Sequence, residues 1–270
     1  MEQDESCFFV QPTARLRPFV KHYWLLKTAG NEAEVVRTVP TGMMSLVFHR
    51  GCRLLSVREN QFHPRAFLCG QEKSFADLKY QGSVNMIFVV FKPAGVKVFF
   101  PIPADRSAGV RLTAGDMQNN ELLQLESDIA NTEDDSLCIH LIERFLLKQL
   151  IPYGTYSQQN HNRLQTAIGL INSGESEIAR LADAACLSTR QFNRIFCENI
   201  GTHPKEFVRI VRFQRALNIL EKNKNLNLTQ ITCECGYFDQ SHMIKEFRAI
   251  SGYKPTEYLA ICPPHSDYFG

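Results

Sequence analysis

Arg190, Asn193 and Arg194 stand at i, i+3 and i+4, the spacing that brings side chains to one face of a helix. Two guanidiniums and a carboxamide together form a surface of planar, multidentate hydrogen-bonding groups. In a major groove, a guanidinium fits the edge of guanine and a carboxamide the edge of adenine. Further along, Ser241 and Lys245 lie one helical turn apart, flanked by Gln240 and His242. Behind each polar face run apolar residues at helical spacing, Phe192 and Phe196 in the first and Met243 and Phe247 in the second. The chemistry on offer is hydrogen bonding to base edges rather than bond cleavage. No Ser/His/Asp arrangement or phosphate-binding glycine loop accompanies it.

Two copies of one supersecondary unit must position these faces. Downstream of the turn, residues pair at an offset of 51: Ser188 with Asp239, Phe192 with Met243, Phe196 with Phe247, Gly201 with Gly252, Pro204 with Pro255, Phe207 with Tyr258. Upstream the offset is 50, pairing Ile178 with Leu228, Leu181 with Ile231, Ala182 with Thr232 and Cys186 with Gly236, so the second turn is one residue longer. The first unit is expected to have a short helix at Glu177–Ala185, a turn at Cys186–Leu187, and a second helix opened by Ser188. Ser188 and Gln191 fit a capping box, and Asp239 is the matching N-cap of the second unit.

This is a helix-turn-helix, whose second helix enters a major groove with its N-terminal residues on the bases. Because Arg190, Asn193 and Arg194 differ in chemistry from Ser241 and Lys245, the two heads are expected to read different bases in an asymmetric site. His242 reads as a neutral hydrogen-bonding contact or a local structural residue rather than a pH switch. A continuous helix is expected over Pro204–Asn223, with an apolar stripe of Val208, Val211, Ala216, Leu217 and Leu220. At about 28 Å it suits the ~34 Å spacing of successive major grooves on one face of a duplex. Along it, Arg212 reads as structural, and Arg209 and Arg215 as solvated or phosphate-facing.

The stretch Ile178–Leu259 resembles the DNA-binding domain of the AraC/XylS family of bacterial transcriptional regulators. The matching residues are Arg212-x3-Ala216-x3-Leu220, then Gly236-Tyr237-x-Asp239-Gln240-Ser241-His242-x4-Phe247, then Gly252-Tyr253-x-Pro255-x2-Tyr258. The resemblance implies base contacts at Arg190, Asn193, Arg194, Ser241 and Lys245, and an N-terminal half that senses an effector, dimerises, or both. There are two departures. Cys186 replaces the usual turn glycine, which adopts positive φ without steric cost. Thr232 replaces a small alanine.

Bulk composition is silent on nucleic acid. Lys+Arg number 30 against 28 Asp+Glu, and residues 155–270 carry only 13 against 11. Positive charge for phosphate contacts must therefore be concentrated on one face. No apolar run reaches membrane-spanning length and the N-terminus MEQDES is polar and acidic, so no membrane partner and a cytoplasmic location are expected. Nine cysteines, scattered without metal-ligand spacing, read as reduced thiols, and no cofactor is expected. A DNA-repair methyl acceptor would need clustered zinc-binding cysteines, and Cys7, Cys52, Cys69 and Cys138 are dispersed. An architectural binder would need two basic, interchangeable heads, and these are neither.

The fold class expected is α+β: an N-terminal β-sandwich or small barrel, a helical linker, and an all-α C-terminal domain with two helix-turn-helix units. Boundaries are placed at 1–115, 116–152 and 158–262. Strands are expected at His22–Thr28, Met43–His49, Arg53–Val57, Arg65–Gly70, Ser74–Tyr80 and Asn85–Phe91, with a helical turn in Gly95–Phe100. Helical spacing of Leu122, Leu125, Ile129 and of Leu137, Leu141, Phe145 marks two helices, separated by Asn131–Asp135, that pair with a second subunit or pack on the sheet. Pro152, Gly154 and Ser157–Asn162 read as the linker.

The segments Tyr23-Trp24, Val39-Pro40-Thr41-Gly42, Gly70 and Lys92-Pro93-Ala94-Gly95 resemble an uncharacterised β-rich domain that precedes such DNA-binding halves. Trp24, Phe48, His49, Phe67, Phe75 and Phe88 are candidates for a pocket or for plain core. Double-stranded DNA is the expected partner. RNA polymerase, a small-molecule effector and a second copy of the chain remain open, as does activation against repression.

Overall fold

The computed structural model of the chain describes residues 5–30, 32–101, 109–150, 155–222, 227–261 and 267–269. Its N-terminal part is built on two antiparallel sheets. The larger contains β1 (Glu5–Val10), β2 (Val20–Thr28), β4 (Ser45–His49), β7 (Ala66–Cys69), β9 (Val84–Phe91) and β10 (Arg111–Leu112), in the order β1-β2-β9-β4-β7-β10. The smaller contains β3 (Ala33–Thr38), β5 (Leu55–Ser56), β6 (Gln61–Phe62) and β8 (Ala76–Gln81), in the order β3-β8-β5-β6.

Both faces of the larger sheet are apolar, because both are covered. Along β9, Ile87, Val89 and Phe91 turn to one side and Met86 to the other, as a period of two requires. The first side packs on a 3-10 turn (Val96–Val98) and on helices α1 (Asn120–Ala130) and α2 (Asp135–Gln149). The second faces the smaller sheet through Val47, Phe67 and Met86 against Leu54, Leu78 and Tyr80.

Four strands escaped the sequence reading, β1, β3, β6 and β10. All four are edge strands, β6 and β10 are two residues long and β3 is largely solvated, so none shows the buried alternation that marks a central strand. The stripe expected on α2 is displaced: Leu137 is exposed, and Cys138, Ile142, Phe145 and Leu146 form the buried face. That face joins Leu122, Leu125 and Ile129 of α1 in one cluster with Leu46, Ile87 and Phe91 of the sheet. The buried faces of these helices thus pack on the sheet, while Leu123 and Leu137 remain exposed. Arg50 and Lys27 reinforce the attachment by pairing with Asp135, each at 2.6 Å.

The C-terminal part is helical: α3 (Thr155–Asn172), α4 (Ile178–Ala184), α5 (Thr189–Ile200), α6 (Pro204–Lys222), α7 (Leu228–Glu234), α8 (Gln240–Ser251) and α9 (Pro255–Ile261). Ser157–Asn162, expected in the linker, belongs to α3. Leu164, Ala167, Ile168 and Ile171 of α3 supply the apolar wall that α5 and α6 need. Pro152 and Gly154 lie outside the described residues. Among the described residues no helix is long and apolar enough to cross a membrane.

Candidate nucleic-acid interface

Each reading face is fixed by a cap, a buried face and a left-handed stop. In the first unit the Gln191 amide donates to Ser188 Oγ and the Ser188 amide donates to Gln191 Oε1, both at 3.3 Å, completing the expected capping box. In the second, Asp239 Oδ1 accepts from the His242 amide at 2.6 Å. Gly201 and Gly252 close the two helices at φ +89° and +81°, where a β-carbon would be strained. A proline opens the following helix in each copy.

The packing repeats as closely as the sequence. Phe196 meets Phe207 edge-on at 5.5 Å between ring centres, and the equivalent Phe247 meets Tyr258 at 5.6 Å. Phe192 and Met243 are buried at matching positions, one in each unit. With these sides committed to the core, Arg190, Arg194, Gln240, Ser241, His242 and Lys245 are exposed and Asn193 half-exposed. All seven candidate contacts thus lie on two solvent-facing helix surfaces. Arg194 holds Glu198 one turn on, at 3.1 Å, an exposed pair of small energetic value that can be exchanged for another acceptor.

His242 also makes contacts within its own unit. Its ring stands edge-on to Tyr237, 5.6 Å between centres, with Nε2 3.6 Å from Glu246. That glutamate is almost fully buried and pairs with Arg209 at 3.2 Å, while Arg209 also holds Glu206 at 2.8 Å. Arg209 is thereby corrected from a phosphate-facing residue to one that ties α6 to the second head. Arg215 is corrected as well, since its guanidinium donates to the carbonyls of Ile171 and Asn172 at 3.0 and 2.9 Å. Arg212 lies over the Tyr237 ring at 4.9 Å, as a structural residue should.

Both departures from the family pattern have local accounts. Cys186 does adopt the left-handed conformation, at φ +53°, as Gly236 does at +68°. For a side chain with a β-carbon this costs on the order of 1 kcal/mol. Thr232 is buried with its hydroxyl donating to the Leu228 carbonyl at 2.6 Å, which satisfies the extra polar group. One residue beside the interface escaped the sequence reading: Phe238, which is 91 % exposed immediately before the Asp239 cap. Its counterpart Leu187 packs into the first unit's core. A large apolar side chain just ahead of a cap was the available signal.

The N-terminal half touches the C-terminal end of each reading helix. Lys97 Nζ donates to the Glu198 carbonyl at 3.3 Å, and the Phe75 amide to the Ile250 carbonyl at 2.8 Å. Arg37, paired with Asp77 at 2.6 Å, lies over the rings of Phe75 and Tyr253, 4.0 and 4.4 Å from their centres. The buried Gln214 of α6 donates to the Pro40 carbonyl at 2.8 Å. Of the pocket candidates, Trp24, Phe67 and Phe88 line a cavity between the two sheets. Phe48 is core on the other side of the sheet, His49 is buried, and Phe75 serves the contact with Arg37.

Two capped helices, presented in the same way at the ends of paired short helices, define the class: a tandem helix-turn-helix fold. More particularly, residues 181–261 match the helix-turn-helix domain family and residues 9–112 match a domain of unknown function (DUF6597). An uncharacterized HTH-type transcriptional regulator of Haemophilus influenzae is 30% identical over 125 residues, 45% of this chain and 42% of that protein. The HTH-type transcriptional regulator CdhR of Pseudomonas aeruginosa is 26% identical over 151 residues, 50% of this chain and 43% of the other. The matched region thus spans well under half the length of these relatives. Among solved structures, ToxT from Vibrio cholerae aligns at 12% identity and TM-score 0.45 over 88% of this chain and 96% of its own. An AraC-type regulator from Chromobacterium violaceum aligns at 24% and 0.35 over 40% and 95%.

Proposed function

We propose that the protein is a sequence-specific DNA-binding transcriptional regulator that reads an asymmetric site through two helices in adjacent major grooves. Arg190, Asn193 and Arg194 contact bases in one half. Ser241 and Lys245 do so in the other, flanked by Gln240 and His242. Phe238 adds an apolar contact to a thymine methyl group. The observation that carries this reading is one scaffold presented twice with unlike polar surfaces. At 19 residues, α6 spans about 28 Å between them.

The N-terminal half modulates the second head. On β3, Val36 and Thr38 line the cavity while Arg37, between them, turns to Tyr253 beyond α8. Pro40, two residues further on, also lines the cavity and holds Gln214 of α6. A small molecule that shifts β3 thereby shifts what supports the second reading helix.

Selection of bound duplexes from a random pool by the purified chain tests the proposal. An enriched, non-palindromic motif is expected. A pool that gains no motif through successive rounds, despite retention of DNA, contradicts sequence-specific reading.

A further inference from the structure

The space between the sheets has a volume of about 390 Å³, within the range of small-molecule sites. One entire face of the larger sheet forms its floor. The cross-strand pairs Trp24–Phe88 and Leu26–Met86 all turn inward, as do Phe67 and Cys69 of β7. At the β2 side Trp24 stacks on Phe88 with ring centres 4.5 Å apart. At the far side, three strands away and about 14 Å off at ordinary strand spacing, the lining becomes polar. The floor is therefore a long, largely apolar channel that ends in polar residues at the β7 side.

Among the described residues that line this end, Arg111 is the one cation. Its guanidinium is already paired with Glu59 at 2.8 Å. Glu72, which also lines the cavity, accepts from the Cys69 thiol at 3.9 Å. Burial raises its carboxyl above the usual range even with Arg111 nearby. His63, 5 % exposed, lines the same end with its Nε2 unpartnered, and burial drops its pKa to about 3, so it stays neutral. Among the described residues two carboxylates, Glu59 and Glu72, thus share the one guanidinium of Arg111, and with a neutral imidazole lining the same end they favour a donor carrying positive charge.

We propose that the cavity binds an elongated apolar molecule ending in a protonated amine, with the ammonium between Glu72 and His63 and the apolar body running to Trp24. The occupant is the effector of the modulation described above, and the proposal rests on that reading of the N-terminal half. Arg111, engaged by Glu59, does not serve as an anchor for a carboxylate ligand.

Trp24 is the only tryptophan in the chain, so its emission reports on this cavity alone. The full chain is titrated, without DNA, with decylamine, decanoic acid and decanol, each below its aggregation concentration. Decylamine is expected to change Trp24 emission saturably and to bind at least about tenfold tighter than decanoic acid. Glu72→Gln is expected to abolish that preference while leaving the decanol titration unchanged, which shows the variant cavity intact. Equal or tighter binding of decanoic acid overturns the proposal, as does a saturable response to none of the three. So does a preference for the amine that survives Glu72→Gln. If random-duplex selection yields a motif while these titrations fail, the ligand class is wrong and the DNA-reading proposal stands.

Discussion

The two helix-turn-helix units share their caps, their left-handed stops and their aromatic pairs, yet they are held to the molecule by different physics. The first head presents Ile195 to the interior, in an apolar cluster shared with α3 and α6. At the equivalent position the second head has Glu246, nearly buried and neutralised by Arg209 of α6. The first turn uses Cys186 in a strained conformation, while the second uses Gly236 without strain. Conserving a scaffold requires only that buried volume and backbone geometry be met, and both aliphatic and ionic solutions meet it. The reading faces carry no such constraint and have diverged completely.

The comparison breaks first if the scaffolds are unequal. Phe196→Ala and Phe247→Ala each remove a fully buried ring and are expected to cost about 3–5 kcal/mol, read by denaturant unfolding. A large loss for one and a negligible loss for the other would end the equivalence.

The ionic attachment gives the next effect. Arg209→Ala leaves Glu246 buried without its cation and is expected to cost about 2 kcal/mol. Glu246→Ile, which copies the first unit, is expected to cost less. If the glutamate replacement proves the more damaging of the two in thermal unfolding, Arg209 does not hold the second head.

The turns give the smallest effect, with opposite signs. Cys186→Gly relieves a left-handed residue and is expected to stabilise by about 0.5–1 kcal/mol. Gly236→Ala is expected to destabilise by about 1 kcal/mol through backbone strain alone, because a β-carbon there meets nothing within 4 Å. Equal signs in unfolding experiments would show that the two turns are not the same device.

Which features were legible in the sequence follows from what each depends on. Caps and buried helix faces depend on neighbours three or four residues away, so Ser188, Asp239, Phe196 and Phe247 announced themselves. The roles of Arg209 and Arg215 depend on Glu246 and on the carbonyls closing α3, both distant in sequence. No local spacing distinguishes them from solvated cations. Strand β3 was hidden because an edge strand at the mouth of a cavity buries little of either face. Of the pocket candidates, strand parity decided the outcome, and parity is readable only once the register is known. Trp24 and Phe88 face each other across β2 and β9, while Phe48 turns to the helices.

Position-resolved specificity tests the central claim most directly. Site selection is run in parallel on the unaltered chain, on Arg194→Ala and on Lys245→Ala, and the base preference at each position is compared. Each variant is expected to lose about 1–3 kcal/mol on the selected site and to relax preference in one half only, a different half for each. A uniform weakening across all sequences, or relaxation of the same positions by both variants, would contradict two heads that read unlike bases.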